Sequence, residues 1–380
     1  MAIRWGVAMM EEIEGRQGDM QRCRVRMPDG SLASALHDVK AFPPLKPGDV
    51  VLLNTTAEDL GLGSGGAHYV HAVLPAPVEP HVVSREKAPL SRDQGHIMKL
   101  RYTSLQRAVL AAEEPASPYH DVLSRRRRLY GMPVLIGELH SMLPVAVAWL
   151  YELSCRSHSP LPRIVYIMSD GGALPLGISR HTARLKELDW LAGTVTYGQA
   201  YGGDLEAVNK FTALLAARHV LHADIAMAVQ GPGLVGTGTE YGHSGLETGE
   251  LVNAVHVLGG KPVAVPRISF ADLRDRHNGL SHHTVTALRE AALSRALLPL
   301  PVLPAEQGRT LFRRLQASGL ERKHEIRWQE APPVEAMERA PLRFGPVTSM
   351  GRGVRADPAF FAAVCAAAGT ALELLRPNPS

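Results

Sequence analysis

Apolar and polar positions change rhythm once along this chain, near residue 131. Before that point, "IRWGVAMM", "QRCRVRM", "SLASALH", "DVVLLN" and "AHYVHAVL" alternate roughly residue by residue, with turn signals such as "PDGS" and "PLKPGD" between them. Alternation with period two marks strands that bury one face. Five of them within residues 1–80 predict a small β-barrel of SH3-like or OB type. Residues 81–130 read as a linker and short helices: the charged, proline-containing "PAPVEPHVVSREKAPLSRDQGH" and two helical patterns near 104–112 and 120–130. After residue 131 continuous apolar runs, "MPVLIG", "RIVYIM", "GTVTYG", "ADIAMAVQ" and "KPVAVPRI", alternate with helix-competent stretches. Strands apolar on both faces belong to a parallel sheet covered on both sides. Residues 131–380 therefore predict an α/β, Rossmann-like domain with a mostly parallel sheet and flanking helices.

In open parallel sheets, ligands bind beyond the carboxyl ends of the strands. The segments after the five runs are "ELHSMLP" (138–144), "SDGGALPLGISR" (169–180), "QAYGGDLEAVN" (199–209), "QGPGLVGTGTEYGHSG" (230–245) and "SFADLRDRHNGLSHHT" (269–284). All five are rich in Gly, His, Asp, Arg or hydroxyl residues, whereas the runs before them are plain. Their convergence on one rim is the main functional expectation. Asp204 is expected to N-cap the helix in "LEAVNKFTALLAARH", and Ser281 the helix in "HHTVTALREAAL". His140 reads either as an acid–base residue or as a satisfied structural histidine. Asp170 reads either as a turn holder or as a catalytic group.

The fourth loop holds six glycines in sixteen residues. "GPGLVG" matches G-x-G-x-x-G, but the loop continues where a Rossmann helix would begin. Thr237 stands where a P-loop has its lysine, and Leu246 denies "GHSG" the hydrolase-elbow pattern. What remains is a loop in which Gly231, Gly233, Gly236, Thr237, Gly238 and Thr239 offer backbone N–H groups to an anion. The fifth loop is the most charged. Arg274 and Arg276 suit a phosphate or carboxylate, while His277, His282 and His283 titrate near neutrality. An internal Asp–Arg lattice through Asp272 and Asp275 is the competing reading. A divalent metal could be drawn from His140, Asp170, Asp204, His277 and His283, but no pair among them has a diagnostic spacing.

The chain has 380 residues, with 41 Lys+Arg against 37 Asp+Glu and three cysteines that form no CxxC pair. This composition is that of an ordinary globular protein with anionic ligands, in a reducing compartment. The run "RRRR" at 125–128 reads as a solvated helix face. Residues 132–153 are too interrupted to span a membrane and "AFFAAVCAAAGTAL" is too short, so a cytoplasmic location is expected. The first 80 residues carry few aromatics, only Trp5, Phe42 and Tyr69, which argues against a nucleic-acid barrel.

Taken in order, "LLNTTAEDLGLGSGG", "MPVLIGELHSMLP", "SDGGALP", "GQAYGGDLEAVN", "QGPGLVGTGTEYGHSG" and "RHNGLSHH" resemble the blocks of a bacterial domain-of-unknown-function family, DUF3866. The resemblance implies a soluble bacterial protein and brings no reaction, cofactor or catalytic residue. From the residues themselves, the expected function is an enzyme acting on a small anionic metabolite, phosphorylated or nucleotide-like, by group transfer or hydrolysis. His277 or His140 would serve as acid–base groups. Arg274 and Arg276 would clamp the anion, and Asp170 and Asp204 would orient the substrate or a divalent ion. The rival is a non-enzymatic ligand-sensing or nucleic-acid- or partner-binding protein. Oligomeric state is left open, a homo-oligomer included.

Overall fold

The computed structural model describes residues 3–17, 19–39, 42–61, 66–75 and 95–376; most of the expected linker lies outside these. The chain divides into two units at Pro118/Tyr119. In the first, β1 (Trp5–Gln17), β2 (Met20–Arg26), β3 (Leu32–Asp38), β4 (Val50–Asn54) and β5 (Ala67–Leu74) close into a barrel, with a one-turn helix α1 (Thr56–Asp59) before β5. The barrel order is β1-β2-β3-β5-β4, and β3 runs parallel to β5. That parallel pair marks an OB-type Greek key; an SH3-like arrangement lacks it. Alternation works as expected on β2, where Gln21, Cys23 and Val25 point inward and Arg22, Arg24 and Arg26 outward. Arg24 then reaches Glu14 on β1 at 2.7 Å. The core is small: Ala8, Met10, Cys23, Val25, Ala35, Leu45, Val51, Leu53 and Val70. A hairpin, β6 (Ile97–Lys99) and β7 (Arg107–Val109), follows. The helix expected near 104–112 is thus a strand, and Asn54 ties it to the barrel by donating to the carbonyls of Ser104 and Gln106.

The second unit opens with α2 (His120–Arg125), which ends inside the arginine run; residues 125–128 are exposed. Next come β8 (Pro133–Gly137), α3 (Met142–Arg156), β9 (Ile164–Ser169), α4 (Arg180–Glu187), β10 (Gly193–Tyr197), β11 (Leu205–Ala207), α5 (Lys210–His219), β12 (Ile225–Gln230), α6 (Glu247–Val257) and β13 (Lys261–Ala264). A two-residue pair, β14 (Ile268–Ser269) with β15 (Gly279–Leu280), leads to α7 (His282–Thr286), which runs into a π-helical turn at Ala287–Ala291. The chain ends with β16 (Leu297–Val302), α8 (Ala305–Ser318), β17 (Glu325–Glu330), α9 (Val334–Arg339) and α10 (Pro358–Glu373).

Eight strands form one all-parallel sheet in the order β11-β10-β9-β12-β8-β13-β16-β17. Strands β8, β9, β10 and β12 are buried along their whole length, as continuous apolar runs require. Helices α3 and α10 pack together over the sheet, and the Ala-rich stretch is the centre of that core, with residues 359–368 all buried. A helix apolar all round belongs in a protein interior. Among the described residues no helix is long and apolar enough to cross a membrane.

Candidate functional site

Strand order creates the crevice. The chain passes from β8 to β9 but leaves a gap that β12 fills on its return, and only then crosses β8 to reach β13. Loops after these central strands therefore separate around one opening at their carboxyl ends, the topological switch point where parallel sheets bind ligands.

Glu138, the first residue after β8, is buried there. Its Oε2 lies 3.0 Å from His283 Nδ1 and its Oε1 3.5 Å from the Arg267 guanidinium. Arg267 is itself buried and also pairs with Asp272 at 3.3 Å. Asp272 in turn accepts from Arg274 Nε at 2.9 Å and Nη2 at 2.8 Å. The Arg274 hydrogen bond, together with its charge, holds the Asp272 carboxyl well below the usual carboxylate range. Burial pushes the Glu138 pKa upward, but the His283 hydrogen bond and the Arg267 charge outweigh it, so the carboxylate stays ionised. The backbone fixes this chain of charges. Arg267 donates its N–H to Thr284 Oγ1, and its carbonyl accepts from Ser281 N–H, so the far end of the charged loop is tied twice to the residue just before it.

Four histidines lie against this lattice. The rings of His243 and His283 stack with centroids 3.9 Å apart and planes 6° from parallel, and His282 and His277 lie 4.4 and 4.8 Å from His283. Burial comes first in lowering His243 and His282 to about 4 and His277 to about 3, with neighbouring positive groups adding to it. The Glu240 backbone opposes the shift at His243, but both of its ring nitrogens are buried and, among the described residues, neither has hydrogen-bond geometry to a partner. His277 Nδ1 sits 2.8 Å from Ser281 Oγ, which also accepts the N–H of His283 as the helix cap. A hydroxyl serves either ring tautomer, so Ser281 fixes the orientation of His277 but leaves its proton free to move.

The glycine-rich loop folds over these rings as a hairpin, Gly236 opposite His243. Close approach constrains several of its glycines, most of all Gly242 against the Thr237 and Thr239 hydroxyls and Gly245 against Glu138. A Cβ on Gly245 would stand 2.7 Å from Glu138 Oε2 and 3.0 Å from His243 Nδ1, and one on Gly236 would stand 3.3 Å from the His283 ring. Gly233 and Gly238 have positive φ. Thr237 and Thr239 close the tip through their hydroxyls and the backbone of Gly242. The N–H groups of Val235 and Thr237 are used inside the hairpin, whereas those of Leu234, Gly236 and Gly238 make no hydrogen bond among the described residues.

Beneath the hairpin is a cavity of about 360 Å³, lined in part by Gly233, Gly236, Gly238, Arg267, Arg274, Arg276, His277, His283 and His140. Three arginines and three histidines face it and, among the described residues, no acidic side chain does. Arg276 is exposed and, among the described residues, has no ion-pair partner.

Other expected site residues are held in structural bonds, His140 among them although it also lines the cavity. His140 contacts the Gln230 carbonyl and Tyr166 hydroxyl through Nδ1 and Ser179 Oγ through Nε2; burial, then His181, lowers it to about 4. Asp170 accepts from the N–H groups of Gln199 and Ala200, stapling the second loop to the third. Gly231 packs against Leu174 and Met168. Asp204 bonds Thr194, near the amino end of β10, and Lys186, so the structure does not bring it to the crevice. Nor does Asp204 cap α5: Asn209 does, in a capping box with Thr212. The reason is β11, a three-residue strand that separates the two.

The model of a family described as "Protein of unknown function (DUF3866)" matches residues 35–368. The chain belongs to that family. No curated protein matches it. The family therefore adds a boundary but no chemistry, and the site rests on its geometry. Glu138, His243 and Arg267 were not singled out in the sequence. The signal for Glu138 was a carboxylate directly ending an all-apolar strand, a position where a lone charge needs a buried partner.

Proposed function

We propose that the second unit is an enzyme that binds a small anionic substrate, phosphorylated or nucleotide-like, in the cavity under the glycine-rich hairpin and hydrolyses it or transfers a group from it. One observation carries this reading: among the described residues, the cavity wall presents three arginines and three histidines and no carboxylate. Glu138 and Asp272 behind the wall balance Arg267 and Arg274, which leaves the charge of Arg276 for an anion to match. Arg276 is the clamp, because Arg274 already spends Nε and Nη2 on Asp272. Free N–H groups of the hairpin supply further donors. His277, oriented by Ser281, takes a proton from the attacking water or hydroxyl. Alone it is a weak base, lowered to about 3 by burial and by Arg267. A bound anion opposes that positive field and restores basicity where it is needed.

Calorimetry with inorganic pyrophosphate and a panel of nucleoside phosphates tests the clamp on the full chain. A charge-assisted hydrogen bond is worth roughly 1.5–3 kcal/mol, so Arg276→Ala should weaken binding by about one to two powers of ten. His277→Ala should bind as tightly as the wild type and lose turnover, followed by phosphorus NMR. Unchanged affinity in Arg276→Ala would remove the clamp. Tight binding with no turnover of any panel member by the wild type would make the protein a ligand sensor.

A further inference from the structure

We infer that Glu138, His243 and His283 bind one divalent transition-metal ion of the zinc, manganese or iron(II) class. One ligand atom from each lies within 4.8 Å of the other two, and all three residues are buried. The decisive residue is His243. Both of its ring nitrogens are buried and, among the described residues, without hydrogen-bond geometry to any partner, and its ring lies face to face on that of His283. Buried polar atoms without partners are rare because each has given up its water for nothing. A metal bond supplies the missing partner.

The donor set defines the ion. Two imidazoles and one carboxylate suit zinc, manganese, iron or cobalt, whereas calcium and magnesium prefer oxygen throughout. Three protein ligands leave coordination positions open, the pattern of catalytic and not structural zinc sites. The surroundings are built to match. Arg267 sits at Glu138 Oε1, so Oε2 is the oxygen presented to His283, and a charged neighbour holding a carboxylate in this way orients it as a ligand. Gly245 brings the hairpin backbone to a separation from Glu138 Oε2 and His243 Nδ1 that no other residue would tolerate. A dication adds positive charge beside Arg267 and Arg274, which a bound anion would balance, and His283 belongs both to the triad and to the cavity wall.

This site does not depend on the proposed reaction, since a protein that turns nothing over can still bind an ion. The test is metal uptake by the full chain without substrate. Chelator-treated protein is titrated with Co²⁺, read by its visible absorption, and with Zn²⁺, read by elemental analysis after gel filtration. The wild type should take up about one ion per chain, and His243→Ala and His283→Ala should lose at least about tenfold in affinity. Glu138→Gln should bind more weakly and change the Co²⁺ spectrum, while His219→Ala, at a half-buried histidine at the end of α5 outside the triad, should match the wild type. Circular dichroism identifies any variant that has not folded, and His243→Asn, a smaller change, then replaces His243→Ala. No stoichiometric uptake by the wild type would overturn the inference. So would wild-type uptake by folded His243→Ala or His243→Asn, which would place the ion at His277, His282 and His283 instead.

Discussion

Replacing Arg267 with methionine tests whether the charges behind the cavity form a stabilising lattice. Arg267 is buried at 3% exposure, and the carboxylates it joins, Glu138 and Asp272, are at 4% and 6%. Methionine nearly matches the volume of arginine, so the change removes charge more than packing. Breaking a buried ion pair costs about 3–5 kcal/mol, because the surviving partner keeps its desolvation penalty. Here neither carboxylate is stripped bare: Asp272 keeps Arg274 at 2.8 Å, and Glu138 keeps His283 at 3.0 Å. The expected loss is therefore at the lower end, about 3 kcal/mol. A unit of this size shifts by roughly 2 °C per kcal/mol, which puts the fall in melting temperature near 6 °C. Tryptophan fluorescence reports it, since Trp149, Trp190 and Trp328 all lie in the second unit. Adding Glu138→Gln should restore about half of the loss, because a neutral amide is cheaper to orphan than a carboxylate. A single variant that melts with the wild type would show that the lattice contributes nothing. A double variant no better than the single would assign the loss to packing.

Three further outcomes follow from residues away from the cavity. Gly249→Ala should destabilise by roughly 1–3 kcal/mol in urea titration, since its Cβ would stand 2.3 Å from the Ala287 carbonyl and 2.7 Å from Ala292 N, backbone that cannot yield. Gly177→Ala, with nothing within 4 Å, is the control, and equal midpoints for the two would refute the clash. His324 accepts from Ala296 N–H and bonds the Leu288 carbonyl, and burial lowers its pKa from the ordinary 6.5. The folded protein thus prefers the neutral ring: the contribution is complete above about pH 6.5 and is lost as pH falls below it. His324→Gln should flatten the fall in stability between neutral and mildly acid pH, and an unchanged slope would count against this. Native protein near pH 8 should alkylate quickly at Cys155 alone. Burial, then Glu14, pushes Cys23 up to about 11, leaving about one thiolate in a thousand, and Cys365 is buried and raised too. Rapid modification of Cys23 or Cys365, located by peptide mapping, would contradict their burial.

The strands that could be read from the sequence were those with one dominant pattern. Alternation gave the barrel, and continuous apolar runs gave β8, β9, β10, β12 and β13. The ones that escaped have physical reasons to. β16 carries Pro299 and Pro301, which ordinarily exclude a strand from a sheet interior. β17, at the sheet edge, reads "EIRWQE" and buries little. β11 is three residues long, too short for any periodicity, and missing it moved the expected cap of α5 from Asn209 to Asp204.

At the site, residue types were more legible than partnerships. The sequence marks Arg274, Arg276, His277 and His283 as chemical, and they do line one cavity. It cannot say that Arg274 is half spent on Asp272, because that pairing depends on a turn only two residues long. Nor can it say that Glu138 meets His283 across 145 residues, a contact set by the order of β8 and β13 in the sheet. The glycines show the difference most clearly. Their number suggested a loop moulded around an anion, with backbone N–H groups as the contact. Gly236 and Gly245 instead make room for imidazole rings and a carboxylate, and Thr237 and Thr239 close the hairpin on itself. The loop's backbone freedom is spent on bringing His243 into a buried stack, so its substitution should affect the ion before it affects the anion. Gly245→Ala should therefore lower Co²⁺ uptake more than pyrophosphate binding; equal losses in both would mean that the hairpin serves the cavity as a whole.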